Sequence, residues 1–101
     1  MLITLKSGII LVIGDKFIMQ NEEYKIAIVA VVIKNKESVE KVNAIFHEYG
    51  DYVIGRLGIP YRQKGVNVIS ICLDAPQTLL NSLSGKLGML DGVTSKVLIT
   101  K

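Results

Sequence analysis

The sequence is poor in the residues that carry most covalent and metal chemistry in proteins. Its 101 residues include one cysteine, one histidine and no tryptophan. Cys72 alone cannot form an internal disulfide, so the chain lacks the scaffold of small secreted proteins, and a reducing cytoplasmic compartment is expected. A structural zinc site normally takes four cysteine or histidine ligands, and Cys72 with His47 falls short of that number. We therefore expect neither a metal nor a cofactor.

Long runs of one charge and long apolar runs are also absent. The net charge of +3 comes from 12 basic and 9 acidic residues spread along the chain. This spread lacks the dense basic stripe of nucleic-acid-binding proteins. The longest uncharged run in the apolar N-terminal part, residues 7–14, is far shorter than the roughly 20 residues that span a bilayer. We therefore expect neither direct nucleic-acid binding nor membrane insertion.

The sequence contains no pattern typical of catalysis. A nucleophile needs a base and an orienting group, and His47 beside scattered serines and carboxylates does not supply that set. The Gly-Lys-Leu-Gly run at 85–88 lacks the Gly-x-x-x-x-Gly-Lys-Ser/Thr spacing of a phosphate-binding loop. We therefore predict no catalytic residues and no enzymatic activity.

The length and composition are those of a single globular domain, since half of the residues are apolar. We assign this domain to residues 23–101 and treat residues 1–22 as an N-terminal extension. Ile9 to Ile13 are mostly β-branched and lie between two glycines, which favours an added strand. Alternatively, Met19 is the native start and residues 1–18 are translated upstream sequence.

After residue 23 the apolar pattern alternates between the strand period and the helix period. Asn35 is a candidate cap of the first helix and Gly50 a candidate end. The Asp-Ala-Pro run at 74–76 is a start signal for the second helix with Asp74 as its cap, and Gly85 and Gly88 are expected to weaken its end by close packing or by termination. Strands are predicted at 24–33, 52–59, 66–73 and 93–100, and helices at 37–49 and 76–88. This order is the split βαβ pattern of an α+β, ferredoxin-like βαββαβ sandwich.

The connection rules place the strands within the predicted sheet. Right-handed crossovers put the first and third strands at the centre of a four-stranded antiparallel sheet, with the two helices on one face. Strands 24–33 and 66–73 are apolar on both sides, which suits central positions covered on both faces. Two helices cover one face only. We therefore expect a homodimer or higher homo-oligomer, formed through the other face or through an edge strand.

The stretch from 50 to 65 is predicted to form a strand and the hairpin loop that follows it. Glycines within the strand indicate a bulge or a close approach to the backbone. Pro60 is expected to end the strand, and Gly65 permits the positive φ of a short loop. Tyr61, Arg62 and Lys64 lie on the loop between them.

These residues also carry a family resemblance. The runs at 46–51 and 55–62, the second reading Gly-Arg-Leu-Gly-Ile-Pro-Tyr-Arg, resemble small bacterial regulators of the iron-only hydrogenase system. The runs at 83–88 and 92–93 are similar to the same family, so the resemblance covers about 24–101. It implies an ACT-like ligand-sensing domain, similar to the C-terminal half of the nickel-responsive repressors, without a DNA-binding domain of its own. The resemblance begins just after Met19, which favours Met19 as the native start.

The predicted topology brings scattered cations to one end of the sheet. The turn at 34–36, the hairpin tip at 60–65 and the turn near 88–92 all lie there, as does the start of the first helix, whose free N–H groups and dipole favour an anion. Tyr61 would supply a stacking surface, and Arg56 is expected to join from the same or a partner subunit. The candidate ligand-binding residues are Lys34, Lys36, Arg56, Tyr61, Arg62, Lys64 and Lys86.

Three interpretations of this basic end remain open. In the first, it binds an anionic small molecule, and the chain is an oligomeric ligand-sensing module. In the second, the chain is a protein-interaction module that binds a hydrogenase or a maturation enzyme and takes no small ligand. In the third, the basic end is only a solvated surface, balanced by Glu37 and Asp91.

Overall fold

The computed structural model describes the backbone of residues 2–5, 8–13, 16–20 and 23–100, and the side chains of 23–100. Its strands are β1 (Leu2–Leu5), β2 (Gly8–Ile13), β3 (Lys16–Gln20), β4 (Tyr24–Ile33), β5 (Val53–Tyr61), β6 (Val66–Pro76) and β7 (Val93–Ile99). Its helices are α1 (Lys36–Glu48) and α2 (Gln77–Gly88). All six predicted elements after residue 23 are present, with ends shifted by at most three residues.

The four strands after residue 23 form one antiparallel sheet in the order β5-β6-β4-β7. The first and third strands of the βαββαβ unit are therefore central, which confirms the predicted ferredoxin-like α+β topology. In the register of the sheet, Ile28 lies between Cys72 of β6 and Leu98 of β7.

The core lies between the helices and one face of this sheet. Strand β4 contributes alternate residues, including Val29, Val31 and Ile33, each at most 1% exposed. They pack with Val42 of α1 and with Leu83 of α2. Alternate burial along a strand and a single apolar stripe on each helix are what two packed layers require.

The other face of the sheet is open in the described part of the chain, although both faces of the central strands are apolar. Ile26 and Ile28 of β4 are 45% and 41% exposed on this face. The expectation that both faces of β4 are covered is therefore not met within one chain. The reason is geometric: both crossovers have the same hand and place α1 and α2 on the same side.

Three local predictions need correction. Pro60 does not end β5, since it is paired with Asn67 and the strand continues to Tyr61. An edge strand tolerates proline because one side of its backbone has no partner. Asp74 does not cap α2, because it is paired with Ile26 in a ladder that runs to Pro76. Gly85 neither ends α2 nor packs closely, since the space around it is open.

Other local predictions are confirmed. Asn35 caps α1, and its side-chain oxygen accepts a hydrogen bond from the Glu37 amide at 3.0 Å. The register of β5 shifts between Val53 and Gly55, which is the bulge that the glycines of this strand indicated.

The segment before residue 23 forms a separate antiparallel sheet in the order β1-β2-β3. Strand β2 includes Ile9 to Ile13, as the added-strand alternative predicted. Gly14 lies outside the described residues. The use of Met19 as the native start, and the division of the chain at 22/23, stay predictions.

Candidate functional site

A cleft of about 440 Å³ opens at the end of the sheet where β4 and β5 end and β6 begins. Lys34 and Lys36 form one side of this cleft, and Tyr61 and Arg62 form another. Four of the seven predicted ligand-binding residues therefore line the same space. The remaining lining residues are Ile33, Pro60, Gly65, Val66 and Asn67.

The hairpin between β5 and β6 sets the position of Tyr61 and Arg62. Residues Arg62–Lys64 form one turn of 3-10 helix, which Gly65 ends in the left-handed region at φ 63°, as predicted. The Gly65 amide donates a hydrogen bond to the Arg62 carbonyl at 3.1 Å and closes the loop. Lys64 is exposed on this loop beside the cleft but is not one of its lining residues.

The beginning of α1 contributes Lys36 to the lining of the cleft. The Asn35 cap also donates from its side-chain amide to the Asp91 carboxylate at 3.2 Å, and the Ser38 hydroxyl donates to the Asp91 carbonyl at 2.6 Å. These bonds hold the start of α1 against the turn before β7. Because the Glu37 amide donates to the Asn35 side chain, that N–H group is not free for a ligand, while the dipole of α1 still favours an anion at this end.

Asn67 is a lining residue that the sequence analysis missed. It is half-buried at the start of β6, where it is paired with Ile33 on one side and with Pro60 on the other. Its side-chain amide provides both a donor and an acceptor next to the cationic groups. The signal in the sequence was an amide side chain in a mostly apolar strand, two residues after the hairpin glycine Gly65.

Lys86 does not line the cleft, although the sequence predicted that it would lie there with the other cations. Its ammonium group donates to the Glu48 carboxylate at 2.8 Å and lies 5.2 Å from the Tyr49 ring centroid. Side chains of a helix lean toward its N-terminus, and α2 begins at the end of the sheet where α1 finishes. The Glu48 hydrogen bond, followed by the Tyr49 contribution, raises the pKa of Lys86 above its ordinary value.

Arg56 also lies away from the cleft. Its guanidinium group donates to the Asn43 side chain and is 5.4 Å from the Phe46 ring centroid. It lines a second cleft of about 370 Å³ between α1 and β5, together with His47. Arg56 is paired with Ile71, which is buried under the helices, so it lies on the helix side of the sheet.

Neither a metal cluster nor a membrane-spanning helix is found in the described part of the chain. No three His, Cys, Asp or Glu side chains among those residues are grouped as ligands of an ion would be. Neither α1 nor α2 has the length and apolar character needed to cross a bilayer.

Comparison with known proteins matches this chain to a family and to solved structures. Residues 25–97 match the model of the TM1266-like family, described as "Iron-only hydrogenase system regulator, putative". The structure of uncharacterized protein TM1266 from Thermotoga maritima superposes with a TM-score of 0.75 at 28% identity, over 78% of this chain and 100% of that one. A search of the curated proteins gave no match.

Proposed function

The chain belongs to the TM1266-like family of iron-only hydrogenase system regulators, and we propose that it acts as a cytoplasmic, non-catalytic, ACT-like sensor of an anionic small molecule. In this proposal the functional form is a homo-oligomer, and the ligand occupies the cleft at the end of the sheet.

One observation carries the proposal: the fold brings Lys34, Lys36 and Arg62 around the same cleft, although Arg62 is distant from the lysines in sequence. Like charges at one site oppose folding unless a counter-charge or solvent offsets them. Of the nearby acidic groups, Asp91 accepts a hydrogen bond from Asn35 rather than from these cations. An anion in the cleft would supply the missing counter-charge.

The lining residues also limit the chemical class of the ligand. Arg62 can hold a carboxylate or phosphate through two parallel hydrogen bonds, while Lys34 and Lys36 act as point charges. Tyr61 provides a ring for stacking and is 42% exposed. Ile33, Pro60 and Val66 add apolar surface. A carboxylate- or phosphate-bearing molecule with a planar or apolar part fits this combination.

A second candidate function is a protein-interaction module. Lys34, Lys36, Arg62 and Lys64 are all exposed, so an acidic patch on a hydrogenase or maturation enzyme could contact them without a small ligand. Binding of a purified iron-only hydrogenase that persists in the absence of any small anion would favour this candidate.

The test of the first candidate begins with a thermal-shift screen of the full chain against nucleotides, amino acids, carboxylates and metal ions. We expect an anion to raise the melting temperature and to bind in a calorimetric titration. Arg62→Ala should then weaken its binding by about 1.5–3 kcal/mol, the value of a hydrogen bond to a charged group. That range corresponds to roughly tenfold to 150-fold in the dissociation constant.

Arg56→Ala is the matched control, because it removes the same side chain from the second cleft. We expect it to leave the anion affinity unchanged, since Arg56 is held by Asn43 and Phe46. Equal affinities for the wild type and Arg62→Ala would place the ligand elsewhere. A loss confined to Arg56→Ala would move the site to the cleft between α1 and β5.

A further inference from the structure

The open face of the four-stranded sheet carries a contiguous apolar patch. The register places its members on one side: Ile28 is opposite Cys72 and Leu98, and Leu57 is opposite Ser70. The large members are between 41% and 67% exposed, and they are Ile26, Ile28, Leu57, Ile59 and Leu98. Soluble monomers rarely leave a contiguous apolar surface of this kind in water.

We propose that a second copy of this chain covers the patch, with β4 of each copy packed on β6 of the other around a two-fold axis parallel to the strands. The inference rests on the homo-oligomer of the proposed function and specifies the surface through which two copies associate. It does not depend on whether the cleft binds an anion.

The shape of the patch favours an identical partner. On the open face Cys72 of β6 lies beside the longer Ile28 of β4, while Ser70 lies beside the equally short Ala30. A long side chain beside a short one is self-complementary under a two-fold rotation, because each Ile28 then meets the shorter Cys72 of the other copy. In this arrangement Ile28 of one copy packs against Cys72 of the other, with the sheets about 10 Å apart.

The distribution of charge agrees with self-association. The charged side chains of the open face lie at its margins, Lys96 on the edge strand β7 and Asp74 near the end of β6. Arg56 of β5 lies on the helix side instead. The centre of the patch therefore has no charge to repel a second copy, and none to select a charged partner of another kind.

The two edges of the sheet are less suited to pairing between copies. The edge strand β5 is interrupted by its bulge near Gly55 and carries Pro60 near its other end. The other edge strand, β7, carries an exposed Lys96. Bulges, prolines and edge lysines are the devices that keep sheet edges from pairing. The face, rather than an edge, is therefore the surface left for a partner.

Cys72 makes the proposal testable in the unmodified protein, because it is the only cysteine of the sequence and lies at the centre of the patch. We expect sedimentation to show a dimer at micromolar concentration, and the rate of maleimide labelling of Cys72 to fall as dimer forms with rising concentration. A monomer would overturn both this inference and the proposed oligomer. A dimer whose Cys72 is labelled at the same rate at every concentration would overturn only the interface. A monomer whose Cys72 is nevertheless protected would show that another part of the same chain covers the patch.

Substitutions separate the face from the rest of the surface. Ile28→Lys at the centre and Leu98→Lys on the edge strand should each raise the dimer dissociation constant at least tenfold. Met89→Lys is the matched control, because Met89 is 86% exposed just after α2 and lies outside the sheet. Circular dichroism identifies any variant that fails to fold. If Ile28→Lys does not fold, Leu98→Lys still tests the interface, because Leu98 is the more exposed of the two side chains. Unchanged dimerisation in a folded face variant would contradict the interface.

Discussion

Among the glycines of residues 23–100, Gly92 combines a positive φ with no room for a side chain. It has a φ of 67°, and a Cβ atom built on it would lie 2.7 Å from the Cβ of Asn35. Its carbonyl accepts a hydrogen bond from the Lys34 amide at 2.8 Å. Asn35 in turn caps α1 and holds Asp91. One glycine thus allows the close approach that fixes both the start of α1 and the lysines beside it.

Gly92→Ala should destabilise the fold by about 1.5–4 kcal/mol. The left-handed conformation costs an alanine about 1–2 kcal/mol, and displacing the Asn35 cap adds about 0.5–2 kcal/mol. Urea unfolding of the variant and the wild type measures the difference. Gly85→Ala is the control, and its expected effect has the opposite sign. Gly85 lies in α2 with open space around it, so alanine there should stabilise the fold by about 0.5–1 kcal/mol. A neutral Gly92→Ala would show that the turn relaxes without cost.

At the scale of elements, local pattern decided what could be predicted. A nearly unbroken apolar run located β4, helical spacing located α1 and α2, and the crossover rule then ordered the sheet. The end of β6 was missed because pairing with β4 to Pro76 overrode a helix-start signal at Asp74. Lys86 and Arg56 were misplaced because side-chain direction, rather than chain position, decides which cleft a long cation enters.

The N-terminal strands give a prediction at the same scale. Because β1, β2 and β3 are hydrogen-bonded in a sheet that shares no described strand with the four-stranded sheet, deleting residues 1–18 should leave the main ladder intact. We expect the melting temperature and the oligomeric state of the shortened chain, beginning at Met19, to match those of the full chain. Differential scanning calorimetry and sedimentation measure both. A large loss of stability would show that these strands support the domain.

The whole molecule is expected to be electrically polarised along the strands. Lys34, Lys36 and Arg62 lie at the end that holds the cleft, while Glu48 and Asp74 lie toward the other end. A two-fold axis parallel to the strands would bring the basic ends of two copies side by side. At a sheet separation of about 10 Å, their repulsion extends over roughly one Debye length at 0.1 M salt.

Dimerisation should therefore strengthen as the basic ends are screened or neutralised. We expect the dimer dissociation constant to fall when sodium chloride rises from about 0.02 M to 0.2 M, because the Debye length shortens over that range. An anion bound in each cleft should act in the same direction at constant ionic strength. Sedimentation equilibrium at several salt concentrations measures the first effect. A dimer that weakens with salt would mean that opposite charges, not like charges, meet across the interface.

The most direct test of the account is to map an anion onto the backbone. In an amide NMR titration of the full chain with inorganic pyrophosphate, we expect the shifting signals to cluster at residues 33–36 and at 61–67, the two segments that line the cleft. The amide signals near Glu48 and Lys86 should not shift, because these two side chains already form an ion pair with a distance of 2.8 Å. Shifts concentrated there, or around Arg56 and His47 in the second cleft, would contradict the claim that the basic end of the sheet is the anion site.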